Sequence, residues 1–154
     1  MDSIANPTLD DMGYYTFMDS MDALLMGRLT FEKVLSFGLE WPYQKPVFVL
    51  SNSMHEIPTD LIGKVFLMNG KTSTVLNRIH ELGYGNIYLD GGRTIHNFLK
   101  NDQVDELIIT RFPLLLGDGI PLFHKLNESL QFELVDSKVY LGQLVQSHYK
   151  RTRT

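Results

Sequence analysis

The segment Leu89-Asp90-Gly91-Gly92-Arg93-Thr94 sets paired glycines, a cation and a hydroxyl directly behind a short apolar run. Glycines at such a turn let a ligand approach the backbone closely, and free N–H groups opening the next helix carry partial positive charge. Both features suit a phosphate or pyrophosphate. A Gly-Gly pair needed only for a tight connection would look the same. Met26-Gly27-Arg28-Leu29-Thr30 adds a cation and a hydroxyl at another expected helix start. Arginine fits a phosphate because its planar fork donates two hydrogen bonds. Leu50-Ser51-Asn52-Ser53 is a polar cluster behind an apolar strand, as ordinary turns also are. The three gain weight together, because ligands of open α/β sheets sit at the C-terminal ends of strands and these segments would line one such edge.

Other patterns carry less. Gly70-Lys71-Thr72 resembles the end of a P-loop, but the glycine required five positions earlier is Val65, inside an expected strand. Gly117-Asp118-Gly119 lacks the third glycine of a dinucleotide fingerprint. There is no G-x-S-x-G elbow and no H-E-x-x-H. The five histidines (His55, His80, His96, His124, His148) show no metal-like spacing, so no metal site is expected. Asp10 and Asp11 fall near an expected helix start, where the dipole favours acids. Tyr14, Tyr15 and Phe17 either stack on a flat heterocycle or fill the core.

These junctions need elements to hold them. Asn6-Pro7 reads as a helix start, with the helix running to about Ser20. Ala23-Leu24-Leu25-Met26 is wholly apolar, as a central buried strand would be. A helix is expected over Leu29 to Phe37, closed by Gly38. Strands are expected over Pro46 to Leu50 and Lys64 to Met68, then a helix from Lys71 to Leu82 with Val75, Leu76, Ile79 and Leu82 on one face. Asn86 to Asp90 is a strand, Gly91-Gly92 opens a helix through Lys100, and Glu106 to Phe112 is the next strand. Phe132 to Tyr140 and Gln143 to Tyr149 form a terminal hairpin around Leu141-Gly142. The expected class is α/β: a mostly parallel sheet flanked by helices, with an antiparallel hairpin at its end.

The length of 154 residues fits one domain, 1–154, and 44% hydrophobic residues with 9 Phe, 7 Tyr and 1 Trp can close a core. Net charge is −4, with Asp2, Asp10, Asp11, Asp19 and Asp22 unmatched by any Lys or Arg in the first 22 residues. No basic excess points to nucleic acid. The Lys150-Arg151-Thr152-Arg153 run reads as a solvated tail. No apolar run approaches the ~18–20 residues of a membrane helix. The N-terminus is unlike a signal peptide and there is no cysteine, so a cytoplasmic protein is expected.

Met26-Gly27-Arg28-x-Thr30-Phe31-Glu32 resembles the M-G-R-x-T-[WYF]-E segment of dihydrofolate reductases and of the C-terminal reductase domains of bacterial riboflavin biosynthesis proteins. Val49-Leu50-Ser51 is similar to that family's second nucleotide-binding strand end, and Ile87 to Arg93 to its Gly-Gly turn. Val104 to Thr110, Pro113 to Gly119, Leu122-Phe123 and the terminal strands ending at His148-Tyr149-Lys150-Arg151 resemble the riboflavin-type branch. The likeness covers nearly the whole chain, with four motifs in order.

The resemblance implies a reductase that uses NADPH to transfer a hydride to a small heterocycle, of dihydrofolate or pyrimidine riboflavin-precursor type. It implies that Gly27, Arg28 and Thr30 hold cofactor phosphates and that Ser51 and Asn52 lie near the adenosine 2′-phosphate. Gly91, Gly92, Arg93 and Thr94 would take the pyrophosphate. Leu29 replaces a commonly basic or polar residue and Asn52 a common arginine, which weakens the expected preference for NADPH over NADH. Asp11 stands on the helix that carries the catalytic carboxylate of dihydrofolate reductases, as an alternative to a plain helix-start role. The family's first strand, central in its sheet, has no evident counterpart, and its lack would leave neighbouring backbone groups unpaired. A non-catalytic nucleotide-binding or scaffold protein is the alternative reading. Relatives in the riboflavin branch are commonly homodimers, and Leu114 to Leu116 with Leu122-Phe123 would suit an interface.

Overall fold

A computed structural model describes residues 10–153. Its centre is β1 (Ala23–Gly27), flanked on one side by β2 (Val47–Leu50) and β3 (Val65–Met68) and on the other by β4 (Ile87–Asp90). All pairings are parallel, with Leu24 opposite Val47 and Tyr88, and Met26 opposite Val49 and Asp90. A strand packed on both faces must be apolar throughout, and Ala23 to Met26 are wholly buried.

Alternate residues of these strands serve two cores. Leu24, Met26, Val47 and Val49 face Phe31 of α2 (Arg28–Leu35), with Leu61 and Met18 alongside. Ala23, Leu25 and Phe48 face Val75 and Ile79 of α3 (Thr72–Glu81) and Phe98 of α4 (Gly92–Lys100). Of the expected face of α3, Leu82 lies beyond the helix and is exposed. Parallel strands with crossover helices put every strand C-terminus at one edge of the sheet.

A second, antiparallel sheet has the order β5 (Glu106–Arg111), β7 (Leu144–Arg151), β6 (Phe132–Tyr140). The expected α/β class holds, and the hairpin turns at Leu141 and Gly142, both with positive φ. The hairpin does not extend the parallel sheet, however. Among the described residues no strand pairs with the free edge of β4, and β5 opens a sheet of its own. Leu144 is the only fully buried hydrophobic residue of this second sheet.

The first helix, α1 (Tyr14–Asp19), starts later than expected. Asn6 and Pro7 lie outside the described residues, but Met12 (φ 53) and Gly13 (φ 81) are left-handed and cannot belong to a helix. Three polar ties fix the ends of the elements. Asp22 Oδ2 accepts the N–H groups of Gly85 and Asn86 at 2.9 and 2.8 Å, which holds its carboxyl below the usual range. Arg151 donates to both oxygens of Asp102 (2.7 and 3.2 Å), fastening β7 to the turn after α4. Gln146 donates to Thr110 Oγ1 (3.1 Å) and to the Met12 carbonyl (3.4 Å), joining the second sheet to the approach to α1. Among the described residues no helix is long and apolar enough to cross a membrane.

Candidate functional site

The order β3-β2-β1-β4 sets four strand ends side by side, about 4.8 Å apart. Each of the three junctions read from the sequence lies there: Gly27 to Thr30 after β1, Ser51 to Ser53 after β2, and Gly91 to Thr94 after β4. Gly70 to Ser73, after β3, joins them. Together they line a cleft of about 980 Å³, which continues along α4 past Asn97, Lys100, Asn101 and Gln103. From the neighbouring strands β1 and β4, α2 and α4 leave toward opposite faces of the sheet. Such a divergence opens a crevice at the strand ends.

The two junctions interlock. A Cβ on Gly27 would lie 2.5 Å from Thr94 Oγ1, and a Cβ on Gly91 would collide with Thr30 Oγ1. Each glycine therefore leaves room for the threonine that opens the other helix, rather than room for a ligand. Gly91 also requires its positive φ of 92. Gly92 differs: a Cβ there meets nothing within 4 Å, so its backbone faces open space. Thr94 is buried, with its Oγ1 against Gly27.

No side chain caps α2, α3 or α4. Their opening N–H groups have no intrahelical acceptor, so three positive helix ends converge on the cleft. The cations around it are not equivalent. Arg28 donates to Glu32 Oε1 at 2.7 Å in a half-exposed pair within its own helix. Arg93, Lys71 and Lys100 have no ion-pair partner among the described residues. Ser51 Oγ accepts the N–H groups of Ser53 (3.2 Å) and Met54 (3.0 Å), ordering the loop while its own proton stays available. Asn52 is exposed beside it.

Asp11 does not line the cleft. Its Oδ2 accepts the Tyr15 N–H at 2.9 Å and its Oδ1 the Gly13 N–H at 3.2 Å, both at the opening of α1. Asp90, the last residue of β4, is a carboxylate that escapes motif reading; like Asp11 it is not among the residues that line the cleft, but it directly precedes Gly91, which is. Its Oδ1 accepts the Gly91 N–H at 2.7 Å, and burial pushes its carboxyl above the ordinary 3.8. Tyr14, Tyr43 and Tyr88 gather around it. Burial raises all three phenols, Tyr43 to about 12, and the Asp90 charge raises them further. They stay protonated donors at neutral pH. The alternation of β4 was the available signal, since it puts Tyr88 and Asp90 on one face. His96 and His124 meet edge to face with centroids 5.1 Å apart, yet no group of three or more metal-binding side chains exists among the described residues.

The site suits an extended anionic ligand. Its volume lies within the range of about 300–1,000 Å³ typical of small-molecule and cofactor sites. Its floor presents uncapped N–H donors over an open Gly92. Arg93, Lys71 and Lys100 line it without an ion-pair partner among the described residues, and Gln103 lines it with a buried Oε1 that has no hydrogen-bond partner there. A family model, the RibD C-terminal domain, matches residues 16–145. The chain is 36% identical over 143 residues to the uncharacterized protein YwjB of Bacillus subtilis (strain 168), covering 92% of this chain and 80% of that one. The crystal structure of a candidate riboflavin biosynthesis protein from Shewanella sp. PV-4 superposes with TM-score 0.95 at 49% identity, over 99% of this chain and 86% of that one. Dihydrofolate reductase from Enterococcus faecalis, complexed with NADP(H), shares the fold with TM-score 0.64 at 18% identity, over 92% and 82%.

Two outcomes test this geometry. Gly27→Ala should destabilise the fold by about 1–3 kcal/mol through overpacking against Thr94, and should be nearly neutral in a Thr94→Ala background. Denaturant melts of the four proteins measure that coupling; additive effects would contradict the interlock. For Asp90, a raised carboxyl means that the folded chain holds its proton more tightly than the unfolded one. Its contribution is complete below 3.8 and is lost as pH rises through the folded value. Asp90→Asn should therefore melt higher than wild type at neutral pH, with the gap closing in acid. A gap independent of pH would contradict the assignment.

Proposed function

Because the chain belongs to the RibD C-terminal domain family, we propose that it is an NADPH-dependent reductase acting on a small heterocycle, of dihydrofolate or pyrimidine riboflavin-precursor type. The observation that carries this reading is the convergence of three uncapped helix starts and unpaired cations on one cleft of a reductase-type fold. A single phosphate would leave most of that cleft empty, whereas a dinucleotide uses its length.

The N–H groups of Gly92, Arg93 and Thr94 and of Arg28 to Thr30 hold the pyrophosphate, with Arg93 as the free guanidinium. Ser51 and Asn52 face the adenosine ribose. When bound, the nicotinamide supplies the hydride, and the protein's part is orientation and exclusion of water. Asp90 Oδ2, which has no hydrogen-bond partner among the described residues, accepts an N–H of the substrate ring. The phenols of Tyr14, Tyr43 and Tyr88, protonated at neutral pH, stand around that carboxylate. Asp11 orders the start of α1.

The assembly we propose is a homodimer. Leu115 (96% exposed) and Ile120 (92%) project from the loop after β5, close in sequence to Leu114, Leu116, Leu122 and Phe123, all of them exposed. Six exposed apolar side chains within one ten-residue loop suit an interface. The occupant chosen is a second copy because the neighbouring antiparallel sheet buries so little of its own surface.

Nicotinamide fluorescence should report NADPH binding in the micromolar range, with oxidation of NADPH when a dihydropterin or an aminopyrimidine precursor is added. Arg93→Ala should weaken binding about tenfold, the worth of one charge-assisted hydrogen bond, and Arg28→Ala should weaken it less. Binding without turnover of either compound would favour a non-catalytic nucleotide-binding protein, and no binding would reject the reading. Light scattering should give twice the chain mass of 17.7 kDa, reduced to one chain by Leu115→Glu with Ile120→Glu. A wild type at one chain mass would contradict the dimer.

A further inference from the structure

We infer that His96 and His124 form an acid-sensitive latch that holds the segment 113–130 against α4, closed while both imidazoles are neutral and opened when both are charged.

The segment lies between β5 and β6 and contains neither helix nor strand. A run longer than about 12–15 residues without secondary structure is uncommon in a compact domain and is usually functional. Among the described residues no hydrogen bond or ion pair joins it to the rest of the chain. Its own side-chain hydrogen bond, from the Gly119 N–H to Asp118 Oδ1, is internal. Neither core cluster takes in any of its residues, and those from Leu114 to Lys125 are all exposed. What attaches it is a contact between rings. His124 meets His96 of α4 edge to face, with centroids 5.1 Å apart and planes at 68°.

That contact suits neutral rings. His96 Nδ1 is buried and has no hydrogen-bond partner. A neutral imidazole can leave that nitrogen without a proton, whereas an imidazolium carries a donor on both nitrogens. Charging the ring would thus bury an N–H with no acceptor, which costs more than an idle neutral nitrogen. The charged groups that act on His96 are Lys100, one turn along α4, and His124 from the segment; neither is a carboxylate that could compensate. Burial, then Lys100 and His124, hold His96 below the ordinary 6.5. A ring that resists its proton when latched takes it more readily when free. The latch is therefore at full strength above 6.5 and weakens as pH falls through the latched value. In acid, His96, His124 and Lys100 become three cations on one patch. Opening separates them and lets Nδ1 meet water. The segment carries Leu115, Ile120, Leu122 and Phe123, so the latch governs how these exposed apolar side chains are presented.

Backbone order parameters from 15N relaxation, taken at about pH 7.5 and about pH 5.5, test the latch because histidines titrate between them. In wild type, Leu122 to Lys125 should lie near 0.85 at the higher pH and fall below about 0.6 at the lower. His96→Phe and His124→Phe each keep an aromatic ring that cannot be charged, and should stay rigid at both. Unchanged order in wild type would overturn the latch. So would the same acid-induced fall in either phenylalanine variant, since the proton would then act elsewhere. Loss of order in β6 and β7 over the same range would overturn it as well, because acid would be loosening the whole fold.

Discussion

The close approach of β1 and β4 at their C-terminal ends governs the rest of the molecule. Gly27 admits Thr94, and Gly91 admits Thr30, so each helix start is keyed to the other junction. A side chain at either glycine would force α2 and α4 apart and widen the crevice between them. Because the strands are parallel and wholly buried around Leu24 to Met26, the sheet has little freedom to absorb such a displacement. The packing of four residues thereby sets the spacing of two positive helix ends, and that spacing decides which anion they can share.

Around this fixed frame the charges differ in availability. Arg28, a residue of the resembled motif, is paired with Glu32 of its own helix. Arg93 and Lys71 stand unpaired on opposite sides of the cleft. Asp90 lies in the same region as a carboxylate lifted by burial, with three phenols in its field. A half-buried carboxylate with one oxygen left over weakens the fold at neutral pH, and such a cost is typical of residues kept for binding or chemistry.

Much of this was legible in the chain. A glycine after a wholly apolar run marked the ends of β1 and β4, and Leu141-Gly142 marked the last hairpin, because each is a local rule of backbone conformation. The start of α1 was not legible: Asn6-Pro7 satisfies the rules for a helix start, but the left-handed Met12 and Gly13 hold the helix back to Tyr14. Nor was the division into two sheets, since whether β5 pairs with β4 depends on hydrogen bonds between distant segments. Lys71 escaped for a related reason. A motif tests spacing along the chain, whereas its place in the same cleft as Gly27 and Gly91 comes from the lateral order of the strands. The interlock changes the meaning of the glycine pair as well: Gly91 clears the way for Thr30 rather than for a ligand, as Gly27 does for Thr94. Only Gly92 keeps the role first read for the pair.

The central claim is that the opening amides of α2, α3 and α4 bind one ligand. Backbone amide resonances followed by NMR during a titration with NADPH test it most directly. The account predicts that Arg28 to Thr30, Thr72 to Thr74 and Gly92 to Thr94 shift together along one saturating curve, while the amides of β6 and β7 stay in place. Shifts confined to a single helix start, or centred on the second sheet, would contradict it.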